Sequence, residues 1–174
     1  MTTTENRRPS PTGASSPYAP EEPSRFAWAE HAPESFRALL KLSAVSEQGP
    51  LDPALTELVK VRASQLNQCA LCLDMHSKDA LAAGETVERL IQLSAWRESR
   101  HFYTERELAA LELTEAMTNL QDGFVPDEVF AGVAARFDEA ELAQLITAIA
   151  VINTWNRISV TVRRPAGHYQ PGTH

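Results

Sequence analysis

The chain is poor in the residues on which several specialised protein classes depend. It has 2 cysteines and 7 glycines in 174 residues. Two cysteines cannot build the multi-bridge framework of a small secreted domain, and a chain of this length can bury a core without one. Positive charge is also scarce: 16 Lys and Arg against 23 Asp and Glu leave a net charge of -7. A nucleic-acid partner, which selects for a basic surface, is therefore not expected. Long hydrophobic runs are missing as well. The longest nearly unbroken one, Leu145 to Ile152, is about half of a membrane span, so no membrane association is expected. The opening residues, MTTTENRRPSPTGASSPYAPEEPS, lack the apolar stretch of a secretory signal and predict a cytoplasmic protein. There is no glycine-rich phosphate loop, Ser-His-Asp arrangement or haem-attachment motif, and nothing requires a cofactor.

What is present reads as helix. Ala, Leu and Glu are prominent and β-branched residues are scattered, which predicts an all-α fold. Residues 1–24, with five prolines among Ser, Thr and Gly, read as a disordered arm, residues 25–164 as one helical domain and residues 165–174 as a tail. Six to seven helices are expected. The first starts at Pro33 and ends before Gly49-Pro50; the second has Asp52 as its cap and ends near Asn67; the third runs from Cys69 to Ala83 and is stopped by Gly84. A fourth spans about Thr86 to Trp96. Thr104 with Glu107 makes a capping box for a fifth reaching about Leu120, with Gly123 ending that unit. Pro126-Asp127 opens a sixth. Asp138 with Glu141 caps a long last helix, apolar on nearly all sides and therefore central or at a subunit interface.

The chemistry-bearing pattern is Cys69-Ala70-Leu71-Cys72 followed by His76. Residues three apart on a helix lie about 60° from each other, so both sulfurs emerge on one side of the first turn. Helix N-termini favour thiolate, as a redox dithiol requires. His76 lies one turn beyond Cys72 on the same face and is a candidate proton partner. Helix polarity alone favours Cys69 as the attacking sulfur, while the spacing to His76 favours Cys72. Glu57, in the preceding helix, is placed to return beside His76 through a hairpin at Gln65 to Gln68, where it would orient and charge the ring. A zinc site is a poor fit because no second Cys or His pair completes a tetrahedron, so no metal is expected. His31, His101, His168 and His174 read as solvated, as do Glu112 and Glu115 on their helix. Trp96 and Trp155 read as packing anchors, and Asn153, Asn156 and Arg157 as partners for buried polar groups.

Glu57, eleven residues, Cys69-x-x-Cys72, three residues and His76, together with NQCALCLDMHSKDALAAGE, AWRESRHFYTERELAAL and AIAVINTWNRISV, resembles the alkylhydroperoxidase AhpD-like group of the carboxymuconolactone decarboxylase superfamily over about residues 28–162. The resemblance implies an AhpD-like helical bundle assembling as a homotrimer or homohexamer. It implies a thiol-dependent peroxidase acting in antioxidant defence, with Cys72 attacking the hydroperoxide, Cys69 resolving the product into a disulfide, and Glu57 and His76 relaying protons. An external dithiol, such as a lipoylated protein, would restore the thiols. Leu71 stands where the better-studied peroxidase members carry a second histidine. A dithiol/disulfide oxidoreductase, or a non-catalytic redox switch, is the alternative reading; lactone decarboxylation, which other members perform without this dithiol, is the less favoured one.

Overall fold

The computed structural model describes residues 23–120 and 124–172. The expected arm, apart from its last two residues, lies outside them, as do Gly123 and His174. Among the described residues there are eight α-helices and no strand: α1 (Trp28–His31), α2 (Pro33–Ser46), α3 (Pro53–Leu66), α4 (Ala70–Ala82), α5 (Val87–Gln92), α6 (Glu105–Thr118), α7 (Asp127–Ala134) and α8 (Glu139–Val162). The one more than the expected six or seven is α1, a single turn with no amphipathic period to announce it. Packing holds it, with Phe26 stacked on His31 at 5.2 Å and Trp28 edge-on to Phe36 at 6.2 Å. His31 therefore closes a helix instead of sitting in a loop. The fourth expected helix is shorter than its pattern, because the chain tightens to 3₁₀ geometry at Leu93–Ala95, where Leu93 and Trp96 enter the core.

Caps explain most of the boundaries. Asp52, Thr86, Thr104 and Asp138 each accept a backbone N–H at the start of their helices, and Thr104 with Glu107 and Asp138 with Glu141 form complete capping boxes. Gly84 adopts φ +100, the left-handed conformation expected after a helix.

Helix α3 is the hub, packed against α4, α6 and α8. Leu55 and Val59, one turn apart, join Ala110, Leu113, Leu145 and Ile149 in one buried cluster. Leu58 and Val61, on the adjacent face, join Leu93, Trp96 and Leu111 in another. Each buried leucine, isoleucine or valine among them stabilises the fold by about 2 kcal/mol. Helix α8 is long and apolar enough to span a membrane by length and composition alone. Leu145, Ala148, Ile149 and Ile152 nevertheless bury its inner face, so it is central as expected.

Buried polar groups tie these helices together. Asn67 Nδ2 donates to Asn153 Oδ1 and Asn156 Oδ1, both at 2.9 Å, and Asn156 Nδ2 donates to Ser64 Oγ at 3.1 Å. The end of α3 is thereby pinned to α8. Glu115 corrects the sequence reading. Rather than facing solvent, its carboxylate accepts from Trp96 Nε1 at 2.7 Å, from Arg62 at 2.6 Å and from Arg97 at 2.9 Å. Leu108, Leu111 and Leu113 precede it on the helix, and their periodicity could not show that a tryptophan and two arginines converge on its carboxylate. Burial pushes the Glu115 carboxyl up, but its hydrogen bonds to Trp96, Arg62 and Arg97 outweigh that and hold it below the usual range. Glu115→Ala strands a buried indole N–H and a half-buried guanidinium. It is expected to cost about 2–3 kcal/mol, read as a lower urea midpoint at unchanged slope.

Candidate active site

The turn between α3 and α4 places the dithiol. Gln68 takes φ 54, the N–H of Cys69 donates to Ser64 O at 3.0 Å, and that of Gln68 donates to Gln65 O at 3.2 Å. This is the paired bonding that closes a helix through a left-handed residue, here without the usual glycine. One residue later the next helix begins. Cys69 is its cap rather than its first residue, as the Cys72 N–H points to Cys69 Sγ at 3.4 Å. The two cysteines are joined in a disulfide with Cα atoms 5.3 Å apart.

Because the connection is so short, α4 runs back antiparallel along α3 and brings Glu57 and His76 together. His76 Nδ1 lies 3.0 Å from Glu57 Oε2. Glu57 Oε1 accepts from Lys60 Nζ at 2.8 Å, and Lys60 also donates to Glu47 Oε1 at 2.6 Å. Burial pushes the Glu57 carboxyl up, but the hydrogen bond and charge of His76 and the ammonium of Lys60 outweigh it and hold it below the usual range. Burial pulls the Lys60 ammonium down, but Glu57 and Glu47 more than reverse this and raise it. An ionised carboxylate can only accept, so Nδ1 carries the proton that meets Glu57. Nε2 is then free to take or give another.

All four expected site residues thus occupy one neighbourhood, but unequally. Glu57, Cys72 and His76 line a cavity of about 580 Å³, whereas Cys69 is not among its lining residues; both sulfurs belong to a buried cluster with Ala63 and Ile152. The apolar wall comes from Phe36, Leu40, Leu71, Met75, Val151 and Trp155. Trp155, expected as a packing anchor, also bounds this cavity, while its indole donates to Ser43 Oγ at 2.8 Å.

Lys60 and Asp79, which line the same cavity, were not singled out in the sequence. Lys60 could have been found by its i,i+3 spacing from Glu57, and Asp79 by the same spacing from His76. The tail adds residues that spacing could not reveal. Gly167 N–H donates to Asp74 Oδ2 at 2.8 Å, Lys78 Nζ to Tyr169 O at 2.9 Å, and the Tyr169 hydroxyl to Asp79 Oδ1 at 2.7 Å. Glu57, His76 and Asp79 offer donor atoms within 4.8 Å of one another, the geometry of a three-ligand metal site. The Lys60 ammonium on Glu57 already supplies the positive charge a cation would bring, so this arrangement suits proton exchange better than coordination.

Among known proteins, the chain is 40% identical over 138 residues to the uncharacterized protein YdfG of Bacillus subtilis (strain 168), covering 79% of this chain and 93% of that protein. It is 31% identical over 120 residues to the uncharacterized protein YnjA of Escherichia coli (strain K12), covering 69% of this chain and 65% of that one. Its structure resembles that of Agrobacterium tumefaciens ATU0492, a protein of unknown function named as a candidate antioxidant defence protein AhpD. The TM-score is 0.79 at 36% identity, over 84% of this chain and 99% of that one. An uncharacterized peroxidase-related protein from Ralstonia eutropha JMP134, with an alkylhydroperoxidase AhpD core, shares the fold at TM-score 0.70 and 18% identity, over 80% of this chain and 74% of that one. The family model for carboxymuconolactone decarboxylases matches residues 33–116, a span that contains the dithiol, Glu57 and His76. On these likenesses the chain belongs to the carboxymuconolactone decarboxylase family and has the AhpD-like fold.

Proposed function

We propose that this protein is a thiol peroxidase of the alkyl hydroperoxide reductase type, serving antioxidant defence. The observation that carries the reading is the 3.0 Å pair of Glu57 and His76 on the wall of the cavity that Cys72 also lines. In the reduced protein His76 takes the Cys72 proton. The thiolate attacks the terminal oxygen of a hydroperoxide, the O–O bond breaks, and the leaving alkoxide collects the proton from the imidazolium as an alcohol. Cys72 is left as a sulfenic acid. Cys69 displaces its hydroxyl as water and the disulfide forms, the state in which the two sulfurs stand here. An external dithiol reduces it again, a lipoylated protein being one source. No cofactor enters the cycle. Assembly as a homotrimer or homohexamer in a reducing cytoplasm is part of the reading; the exposed Leu42, Val45 and Val160 on α2 and α8 suit it.

Peroxide loss under excess dithiol tests the reading directly, and turnover is expected. A disulfide that cycles with small thiols while peroxide is untouched would favour a dithiol/disulfide oxidoreductase instead. The apolar wall also predicts a substrate preference. Cumene hydroperoxide, whose phenyl group can be buried there, is expected to exceed hydrogen peroxide in kcat/KM by about tenfold or more. Equal values would mean that the reaction does not use the cavity.

A further inference from the structure

Three carboxylates line the cavity: the proposed cycle uses Glu57, Glu47 is paired with Lys60, and Asp79 is left without a task. It follows His76 by three residues on α4, which sets both side chains on one face of the helix. One of its oxygens lies within 4.8 Å of a His76 ring nitrogen and of the Glu57 carboxylate. The imidazole therefore has carboxylates from two elements around it, Glu57 from α3 and Asp79 from its own helix.

The C-terminal tail holds that second carboxylate. The Tyr169 hydroxyl donates to Asp79 at 2.7 Å, and the tail is fastened on either side of this bond by the Lys78–Tyr169 carbonyl and Gly167–Asp74 hydrogen bonds. Burial and the neighbouring Asp79 push the Tyr169 phenol far above its usual range, so it stays protonated and remains a donor. A surface tail would otherwise be the first part of a domain to come loose. Here it is hydrogen-bonded to the helix that carries both Cys72 and His76.

We propose that Asp79, held by the Tyr169 hydroxyl of the C-terminal tail, is a second carboxylate that positions the His76 imidazole and favours its taking the Cys72 proton. This rests on the reading that His76 is the proton partner of Cys72. The other charged groups near the imidazole are Glu57 and Lys60 of α3, Glu47 at the end of α2, Asp74 and Lys78 of α4, and Arg164 at the cavity edge. Among them it is Asp79 that accepts the Tyr169 hydroxyl and shares the His76 face of α4. Its negative charge stabilises the imidazolium that forms as the thiol ionises. Only a proton moves, from sulfur to ring nitrogen.

Iodoacetamide alkylation of the fully reduced protein tests this without peroxide, with Cys72 followed by mass spectrometry across a pH series, since only the thiolate is alkylated. Asp79→Asn is expected to slow Cys72 alkylation at pH 7 by about three- to tenfold and to move the rate profile toward alkaline pH. Asp79→Glu should restore most of the rate. Tyr169→Phe, which removes one hydroxyl near the surface and leaves the helices intact, should slow it about twofold, because Asp79 then loses the hydrogen bond that holds it beside His76. Superimposable profiles for the parent, Asp79→Asn and Tyr169→Phe would overturn the proposal, as would an Asp79→Glu variant as slow as Asp79→Asn. Alkylation needs no peroxide, so a protein that shows these shifts without peroxide turnover sinks the peroxidase reading and leaves Asp79 in its role. Turnover with unshifted profiles does the reverse.

Discussion

Cys72→Ser is expected to bring peroxide consumption down to the uncatalysed rate, because a serine hydroxyl does not ionise near neutral pH and no second cysteine is among the residues lining the cavity. Cys69→Ser separates the two sulfurs. Given one portion of hydroperoxide and no reductant, the reduced parent should consume one equivalent and lose two hydrogens as its disulfide closes. The Cys69→Ser variant should consume the same equivalent but gain one oxygen at Cys72, as a sulfenic acid with no partner to displace it. Intact mass spectrometry distinguishes these products. Turnover surviving in Cys72→Ser, or an oxygen retained on Cys69 in that variant, would show that the attacking sulfur has been wrongly assigned.

The second large effect is expected at Glu57. Glu57→Gln keeps the size of the side chain but removes the charge that orients His76 and pairs with Lys60, and a loss of about 10²-fold in kcat/KM should follow. Stability should fall too, by about 2 kcal/mol, because Lys60 is 7% exposed and keeps only Glu47 as a counter-charge. The pH dependence has a definite sign. Glu57 has a lowered pKa in the fold, so its contribution is fully present above the ordinary 4.5 and is lost as pH falls through the folded value. Lys60 has a raised one, so its contribution is fully present below the ordinary 10.5 and is lost as pH rises through the folded value. The cluster therefore supports the fold in full between these two limits. Thermal melts across pH should show Glu57→Gln losing stability inside that window and converging on the parent at acid pH.

The parts of this molecule written as local signals were legible from residues alone. Thr104 with Glu107, Asp138 with Glu141 and Asp52 before Pro53 mark helix starts through side chains adjacent in sequence to the N–H groups they cap. The proximity of Glu57 to His76 followed from a short connection between two helices, which leaves an antiparallel return as the compact solution. What escaped was set by tertiary contacts. Glu115 sits on an unremarkable helical period and becomes a buried acceptor only because Trp96 and Arg62 arrive from elsewhere in the chain. Lys60, not singled out in the sequence, gains its place in the site only because Glu47 and Glu57 close on it. The left-handed turn at Gln68 carries no glycine to announce it, so the dithiol helix was expected to begin one residue early. Asp79 and Tyr169 are 90 residues apart, and no periodicity relates them.

Cys69 as the cap of α4 also bears on how the disulfide reopens. In thiol exchange the incoming sulfur attacks one end of the bond and the other leaves as thiolate, and the better leaving group is the thiol with the lower pKa. Cys72 is the sulfur that borders the cavity, so attack there expels Cys69. Its Sγ already faces the Cys72 N–H at the positive end of a 13-residue helix, where an anion is stabilised as it forms. In the proposed cycle helix polarity and the histidine would serve opposite halves. His76 would prepare Cys72 to attack peroxide, and the helix end would prepare Cys69 to depart when the reductant arrives.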